Sequence, residues 1–202
     1  LVEIQHLLEC AERPVSVQDR LVKDLLEISR IQADRLSFHP TPCNLATILL
    51  EAVEDLLTTV PQRLIHSDVS PTDSVPVMAD EARIRQVISN YLSNAHQYSP
   101  ADRPIVAQLT IDGEHVRIAI RDEGPGLSPE EQGRIWERFY RVQWIERQHS
   151  NGVGLGLGLY ICQIIIEQHK GQVGVESTPG DGSTFWFTLP LAHPPASGSE
   201  LI

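Results

Sequence analysis

Asn90 and Asn94 stand one helical turn apart, and Gln97 and Tyr98 follow one turn further on. Residues three and four apart are neighbours on a helix surface, so all four line one flank. Asn is a mediocre helix former, and two stacked amides at the edge of an apolar stripe call for a reason. Their carbonyl oxygens suit a hard cation and the polar groups of a ligand. Taken alone, however, this helix reads more simply as carrying two solvated surface amides.

Two glycine-rich turns change that balance. Arg121-Asp122-Glu123-Gly124-Pro125-Gly126-Leu127 directly follows a strand pattern. A carboxylate at Asp122 can accept a hydrogen bond from an exocyclic amine such as adenine's, and Gly124 and Gly126 permit close approach of a ligand. An acidic loop with an ordinary turn is the competing reading. The second turn, Asn151-Gly152-Val153-Gly154-Leu155-Gly156-Leu157-Gly158-Leu159, opens a strongly apolar helix. Four alternating glycines are unfavourable to order, and they make sense where backbone amides and a helix start meet a phosphate. It is neither the dinucleotide fingerprint nor the Walker loop, since no Lys-Ser/Thr follows. A flexible hinge before a helix is the alternative.

The elements that must position these residues are legible from periodicity. Residues 1–38 read as helical, with Arg13-Pro14 as an interruption, Ser16 as a cap, and a wide apolar stripe over Val17, Leu21, Val22, Leu25, Leu26, Ile28 and Ile31. His39-Pro40-Thr41-Pro42 marks a boundary. Asn44 caps a predicted helix over 45–59, and strands are expected near 64–67 and 75–78. Asp80 caps a helix over 81–98 whose buried stripe is Ile84, Val87, Ile88, Tyr91, Leu92 and Ala95. A hairpin of 105–111 and 116–121 turns through Asp112-Gly113. Helices over 129–139 and 157–169 and strands near 172–176 and 184–189 complete the pattern, before a Pro/Ser/Gly-rich tail at 192–202 expected to be mobile. Strands in hairpins with helices able to cover one face predict an α+β two-layer sandwich, preceded by a partial helical hairpin.

The chain has 202 residues, and 16 Lys+Arg against 27 Asp+Glu give a formal net charge of −11. Such a balance argues against a chain-wide nucleic-acid surface. No apolar run approaches a membrane span, and no secretory signal opens the chain. Cys10, Cys43 and Cys162 are scattered singly, which fits a reducing compartment and offers no metal-ligand spacing. The first residue is Leu rather than Met, so a fragment is expected.

Taken in order, these elements resemble the catalytic ATP-binding domain of sensor histidine kinases, with the Bergerat fold. Residues 85–95, Arg-Gln-Val-Ile-Ser-Asn-Tyr-Leu-Ser-Asn-Ala, look like the family's N box, and Asp122 to Gly126 like its first glycine box. Ile135-Trp136-Glu137-Arg138-Phe139-Tyr140-Arg141 is similar to the F box. Gly152 to Leu157 match the second glycine box, and Gly180 to Phe185 with Leu189-Pro190 the last box and closing strand. Residues 21–31 resemble the second helix of the dimerisation and phosphotransfer hairpin, whose stripe would be a bundle face shared by two chains.

The resemblance implies three parts: hairpin helices at 1–38, an ATP-binding domain at 39–191 and a flexible tail at 192–202. It implies ATP and Mg²⁺ as cofactors, with Asn94 as metal ligand and Asn90 supporting the phosphates and metal. Asp122 would read the adenine amine, and Tyr98 would line the pocket. Gly152, Val153, Gly154, Leu155, Gly156 and Leu157 would receive the phosphates. Gln97, Gly124, Gly126, Leu127, Tyr140 and Thr184 would complete the nucleotide site. Residues 127–151 would form a lid, with Arg138 or Arg141 near the γ-phosphate and Arg141 carried as catalytic together with Asn90. Trp136 and Phe139 would be lid anchors or small-cluster core, the latter slightly favoured. The implied activity is transfer of the γ-phosphoryl group to a histidine, then to an aspartate of a response-regulator receiver domain. A cytoplasmic homodimer, from a parent that could be membrane-anchored, without nucleic-acid or membrane contact by this part, follows from the same resemblance.

Two departures stand out. Gln97 occupies a position where the family often has Lys, so a neutral donor replaces a charge, and the neighbouring His96 reads as an exposed helix residue. None of His6, His39, His66, His96, His115, His149, His169 and His193 is followed by an acidic residue, so the family's acceptor motif is missing and the fragment is expected not to autophosphorylate. Two alternatives are a non-catalytic nucleotide-binding or dimerisation module and an ATPase of the same fold. The ATPases place a Glu one turn before the metal-binding Asn, and Asn90 cannot act as that base.

Overall fold

The computed structural model describes residues 21–22, 25–31, 37–142 and 155–192. Two compact units emerge, one from Leu1–Ser37 and Gly133–Ile161, the other from Phe38–Gln132 and Cys162–Ile202. Each is taken by itself.

The larger unit is built on a five-stranded sheet of order β2-β4-β5-β7-β6, beside a two-stranded sheet of β1 and β3. The strands are β1 (Thr41–Asn44), β2 (Ile65–Ser67), β3 (Pro76–Ala79), β4 (Ile105–Asp112), β5 (His115–Asp122), β6 (Val173–Ser177) and β7 (Ser183–Pro190). Only β2 runs parallel to its neighbour, β4; the remaining pairs are antiparallel. Helices α2 (Leu45–Thr59) and α3 (Glu81–Tyr98) are capped as their sequences predict. Asn44 Oδ1 accepts from Ala46 N at 3.2 Å and also from Val75 N at 2.9 Å. Asp80 Oδ1 accepts from Arg83 N at 3.3 Å, while its Oδ2 accepts from His39 N at 3.0 Å. Each cap therefore ties the helix start to a distant segment as well.

The predicted α3 stripe is the buried one: Ile84, Val87, Ile88 and Tyr91 are 0% exposed. Each such large apolar side chain contributes about 1.5–3 kcal/mol by leaving water. Tyr91 packs its ring against Phe185 at 5.7 Å and Phe187 at 6.2 Å, joining the helix layer to the sheet. Along β7 burial alternates strictly, with Phe185, Phe187 and Leu189 inward.

Three local expectations change. Thr41 and Pro42, read as part of a boundary, open a strand, Thr41–Asn44, that pairs with β3. Asp112 pairs with His115, so the hairpin turns through Gly113 and Glu114 rather than Asp112-Gly113. The helix expected over 129–139 stops as α4 at Pro129–Arg134. Ser128 and Glu131 form its capping box, Ser128 N donating to Glu131 Oε2 at 2.7 Å and Glu131 N to Ser128 Oγ at 3.3 Å.

In the smaller unit, residues 21–22 and 25–31 are helical (α1), with Val22, Leu25 and Leu26 exposed and Ile28 buried. Phe139, beyond the end of α4, has a φ of 63° and donates its N–H to Gly156 O at 3.0 Å. The same residue is 60% exposed, so the core-packing reading of Phe139 is corrected. Helix α5 (Gly158–Gln168), of which the residues up to Ile161 belong to this unit, begins just after Leu157, which is 1% exposed. Residues 1–20, the polar stretch at 143–151, Gly152 to Gly154 and the tail from 193 lie outside the described residues.

Candidate functional site

Helix α3 presents Asn90, Asn94, Gln97 and Tyr98 at partly exposed positions beside its buried stripe. Asn94 Nδ2 donates to Asn90 Oδ1 at 3.1 Å. Asn90 thus holds the amino side of the Asn94 amide, and Asn94 Oδ1 is the oxygen left to face outward. The two amides act on one another, which plain solvation would not require.

Asp122 ends β5 on the inward face and is 5% exposed. Its Oδ1 accepts from Gly124 N at 2.7 Å, an Asx-type turn. Burial lifts the carboxyl above its usual value; the Gly124 and Ser183 backbone N–H groups and the positive charges of Arg63 and Arg121 draw it back. The glycines nearby serve the protein's own backbone. A Cβ on Gly124 would lie 2.7 Å from Tyr98 O and 2.7 Å from Asp122 Oδ1. Gly126, with φ +70°, brings its chain so near that a Cβ would stand 2.0 Å from Thr178 O, while Gly180 N donates to Pro125 O at 2.8 Å. Leu127 is buried, and its N–H donates to Ser177 Oγ at 2.8 Å. Loop 122–127 is thus clamped to turn 177–183 by main chain and by the Ser177 hydroxyl.

Sequence reasoning missed Arg63. It lies in the loop before β2 and is only 5% exposed. Its Nη1 donates to Pro100 O at 2.5 Å and its Nη2 to Ser99 Oγ, both just beyond the end of α3. An isolated Arg in a loop carries no periodic signal. His96 is corrected as well: it is half-buried rather than exposed. Its Nδ1 is sealed without a hydrogen bond among the described residues, and burial together with Arg63 lowers its pKa.

Thr184 is a further correction. It pairs with Arg121, and the two-residue period of β7 puts it on the sheet face opposite Asp122. Ser183, paired with Asp122 and 8% exposed, takes the inward place. The structure thus gathers Asn90, Asn94, Gln97, Tyr98, Asp122, Gly124, Gly126 and Leu127 in the larger unit. Tyr140, Arg141, Leu155, Gly156 and Leu157 belong to the smaller one. There Gly156, φ +68°, backs onto Tyr140 O, and the Arg134 guanidinium lies 4.3 Å from the centre of the Tyr140 ring. Arg138 donates to Tyr160 Oη at 2.6 Å, whereas Arg141 is partly exposed and makes no hydrogen bond or ion pair among the described residues.

Residues 79–193, which carry all five motifs, match the histidine kinase-, DNA gyrase B-, and HSP90-like ATPases. The chain belongs to that family. It is 37% identical over 189 residues to the adaptive-response sensory kinase SasA of Synechocystis sp., across 92% of this chain and 48% of that kinase. The chain thus spans about half the length of the sensory kinases it matches. Full-length ShkA in complex with AMPPNP superposes with a TM-score of 0.71 at 30% identity, over 88% of this chain and 36% of that one. The histidine kinase AdeS of Acinetobacter baumannii gives 0.66 at 25% identity, over 89% and 81%. The α+β sandwich is the fold of this ATPase family, and the ordered boxes read in the sequence are its ATP-binding domain. Among the described residues no helix is long and apolar enough to cross a membrane.

Proposed function

We propose that the chain supplies the ATP-binding catalytic domain of a sensor histidine kinase. The observation that carries this reading is the buried Asp122 carboxylate, held by Gly124 against the end of the helix that bears Asn90 and Asn94. In this reading Asp122 accepts from the adenine amine, Tyr98 lines the base, and residues 152–157 receive the phosphates at the start of α5. Gln97, Gly124, Gly126, Leu127 and Tyr140 complete the nucleotide's surroundings, and Arg141 serves the γ-phosphate.

Asn94 Oδ1 is a hard oxygen donor suited to Mg²⁺, and Asn90 fixes its orientation. The nucleotide's phosphates would furnish further oxygen ligands. When bound, Mg²⁺ neutralises phosphate charge, which matters on a chain of net charge −11.

In the proposed reaction the γ-phosphorus bond to the β–γ bridging oxygen breaks, a bond to a histidine nitrogen forms, and ADP leaves. Relay to a response-regulator aspartate, homodimerisation through helices at 1–38 and a cytoplasmic site of action belong to the same proposal. Asn90 stands where a hydrolytic ATPase needs a carboxylate, which favours phosphotransfer over hydrolysis.

Calorimetry with AMPPNP and Mg²⁺ tests the binding step, and absence of binding overturns the reading. Phosphotransfer from ATP to a separately supplied helical hairpin bearing an acceptor histidine tests the kinase step. Binding without transfer would leave a nucleotide-binding module. ATP turnover equal in wild type and Asn90→Glu would overturn the reading of Asn90.

A further inference from the structure

Five polar or charged side chains are buried among the described residues: Arg63, Ser99, Asp122, His169 and Ser183. Four of them form one cluster. Arg63 donates to Ser99 Oγ, and Ser99 Oγ donates in turn to Ala95 O at 2.6 Å, within the last turn of α3. Ser183 is the strand partner of Asp122. Within this cluster only Arg63 and Asp122 bear a full charge, and the signs are opposite. A buried charge persists where an opposite charge and hydrogen bonds offset its lost hydration.

The hydrogen-bond partners of both groups are otherwise neutral. Arg63 reaches a carbonyl and a hydroxyl; Asp122 receives backbone N–H groups. The charge on each favours the charged form of the other, with Asp102 adding to the effect on Arg63 and Arg121 to that on Asp122. Burial presses Arg63 toward its neutral form, and Asp122 and Asp102 oppose that pressure. The remaining charges near Asp122 are weaker candidates. Arg121 points to the opposite sheet face and is exposed, and Arg103 is engaged with Glu123 at 3.3 Å. His96, on the Arg63 side, is held toward neutrality.

The contacts also form a mechanical chain. Arg63 fixes Ser99 and Pro100, the residues next to Tyr98. Tyr98 O abuts Gly124, and Gly124 N holds Asp122 Oδ1. A guanidinium at this point also complements the carbonyl end of α3.

We propose that Arg63 is a positioning and specificity residue for the nucleotide base: it braces the end of α3 and keeps Asp122 a pure hydrogen-bond acceptor. The proposal rests on Asp122 reading the base, as set out above. An ionised carboxylate only accepts, whereas a protonated one also donates. A 6-amino purine presents a donor to that position and a 6-oxo purine an acceptor. Loss of the Arg63 charge therefore weakens 6-amino binding and relaxes rejection of the 6-oxo base.

The test compares wild type with Arg63→Met, Arg63→Lys and Arg63→Gln in the whole chain. AMPPNP and its inosine counterpart are titrated by calorimetry between about pH 4 and 8. Circular dichroism verifies folding. Arg63→Gln keeps a donor near Ser99 without charge, so it decides the matter if Arg63→Met does not fold. For Met and Gln the acid limb of AMPPNP binding moves to higher pH, and the amino-over-oxo preference narrows about tenfold. Lys restores the pH profile. Met and Gln variants that fold and keep the wild-type pH profile and preference overturn the proposal. Wild type that binds neither nucleotide at any pH overturns the ATP reading itself, a separate result.

Discussion

The side-chain amide of Asn94 donates to Asn90 Oδ1 at 3.1 Å, one turn back along α3. One asparagine thereby decides which atom the other presents. Asn94→Ala is expected to remove the Mg²⁺-dependent part of nucleotide affinity. Asn90→Ala, which only frees the Asn94 rotamer, weakens it by about 10–100-fold, as loss of an orienting partner does. Calorimetry with and without a chelator checks both.

Two glycines of positive φ differ in surroundings. A Cβ on Gly113 meets nothing within 4 Å, whereas on Gly126 it meets Thr178 O at 2.0 Å. Gly113→Ala is expected to destabilise by about 1 kcal/mol from backbone strain alone. Gly126→Ala adds a clash with main chain that no rotamer relieves and is expected to exceed 3 kcal/mol, roughly the range of severe mutations. Urea denaturation of the two variants measures the difference.

His96 has its pKa lowered from the usual 6.5, first by burial and then by Arg63. The native state therefore binds fewer protons than the unfolded one as pH falls through this region. The sign follows: stability is full above pH 6.5 and declines as pH drops toward the folded-state value. A His96→Gln variant is expected to flatten that decline. Denaturation midpoints from neutral to mildly acidic pH show it.

Arg138 and Arg141 have unlike tasks. Arg138 donates to Tyr160 Oη at 2.6 Å and lies over the same ring at 4.6 Å, so Arg138→Ala is expected to lower Tm. Arg141→Ala is expected to leave Tm unchanged and slow phosphotransfer by about tenfold or more, the scale for loss of one charge-stabilising group. Melting curves and transfer rates on the same preparations separate the two.

The helix layer was legible because its signals are local. The α3 stripe repeats every three to four residues, and Asn44 and Asp80 announce their helices by side-chain type. The local placement of Asn90, Asn94 and Asp122, on a helix flank and at a strand end, was legible because one segment carries each. The site was not legible where distant segments decide. Arg63 becomes buried because residues 99–100 close over it, far along the chain. Thr184 was misplaced by one residue, and a one-residue error on a strand moves a side chain to the other face. Phe139 looks apolar enough for a core, but its backbone turns at φ 63° and leaves the ring exposed. The strand at Thr41–Asn44 holds two residues of poor strand tendency, and its pairing with β3 comes from tertiary context.

The closest approaches across the seam between loop 122–127 and turn 177–183 are of backbone on backbone, with the Ser177 hydroxyl as a side-chain link. A Cβ on Gly182 would stand 2.0 Å from Asp122 O, as one on Gly126 would from Thr178 O. At those two glycines the joint leaves no room for a side chain. Side chains elsewhere in the domain can be exchanged and their volumes traded, while the Asp122 carboxylate stays registered to a frame that drift in side-chain identity does not reach. In the proposed site, base recognition would be tuned through the groups brought up to that fixed point and hardly at all by shifting the point itself.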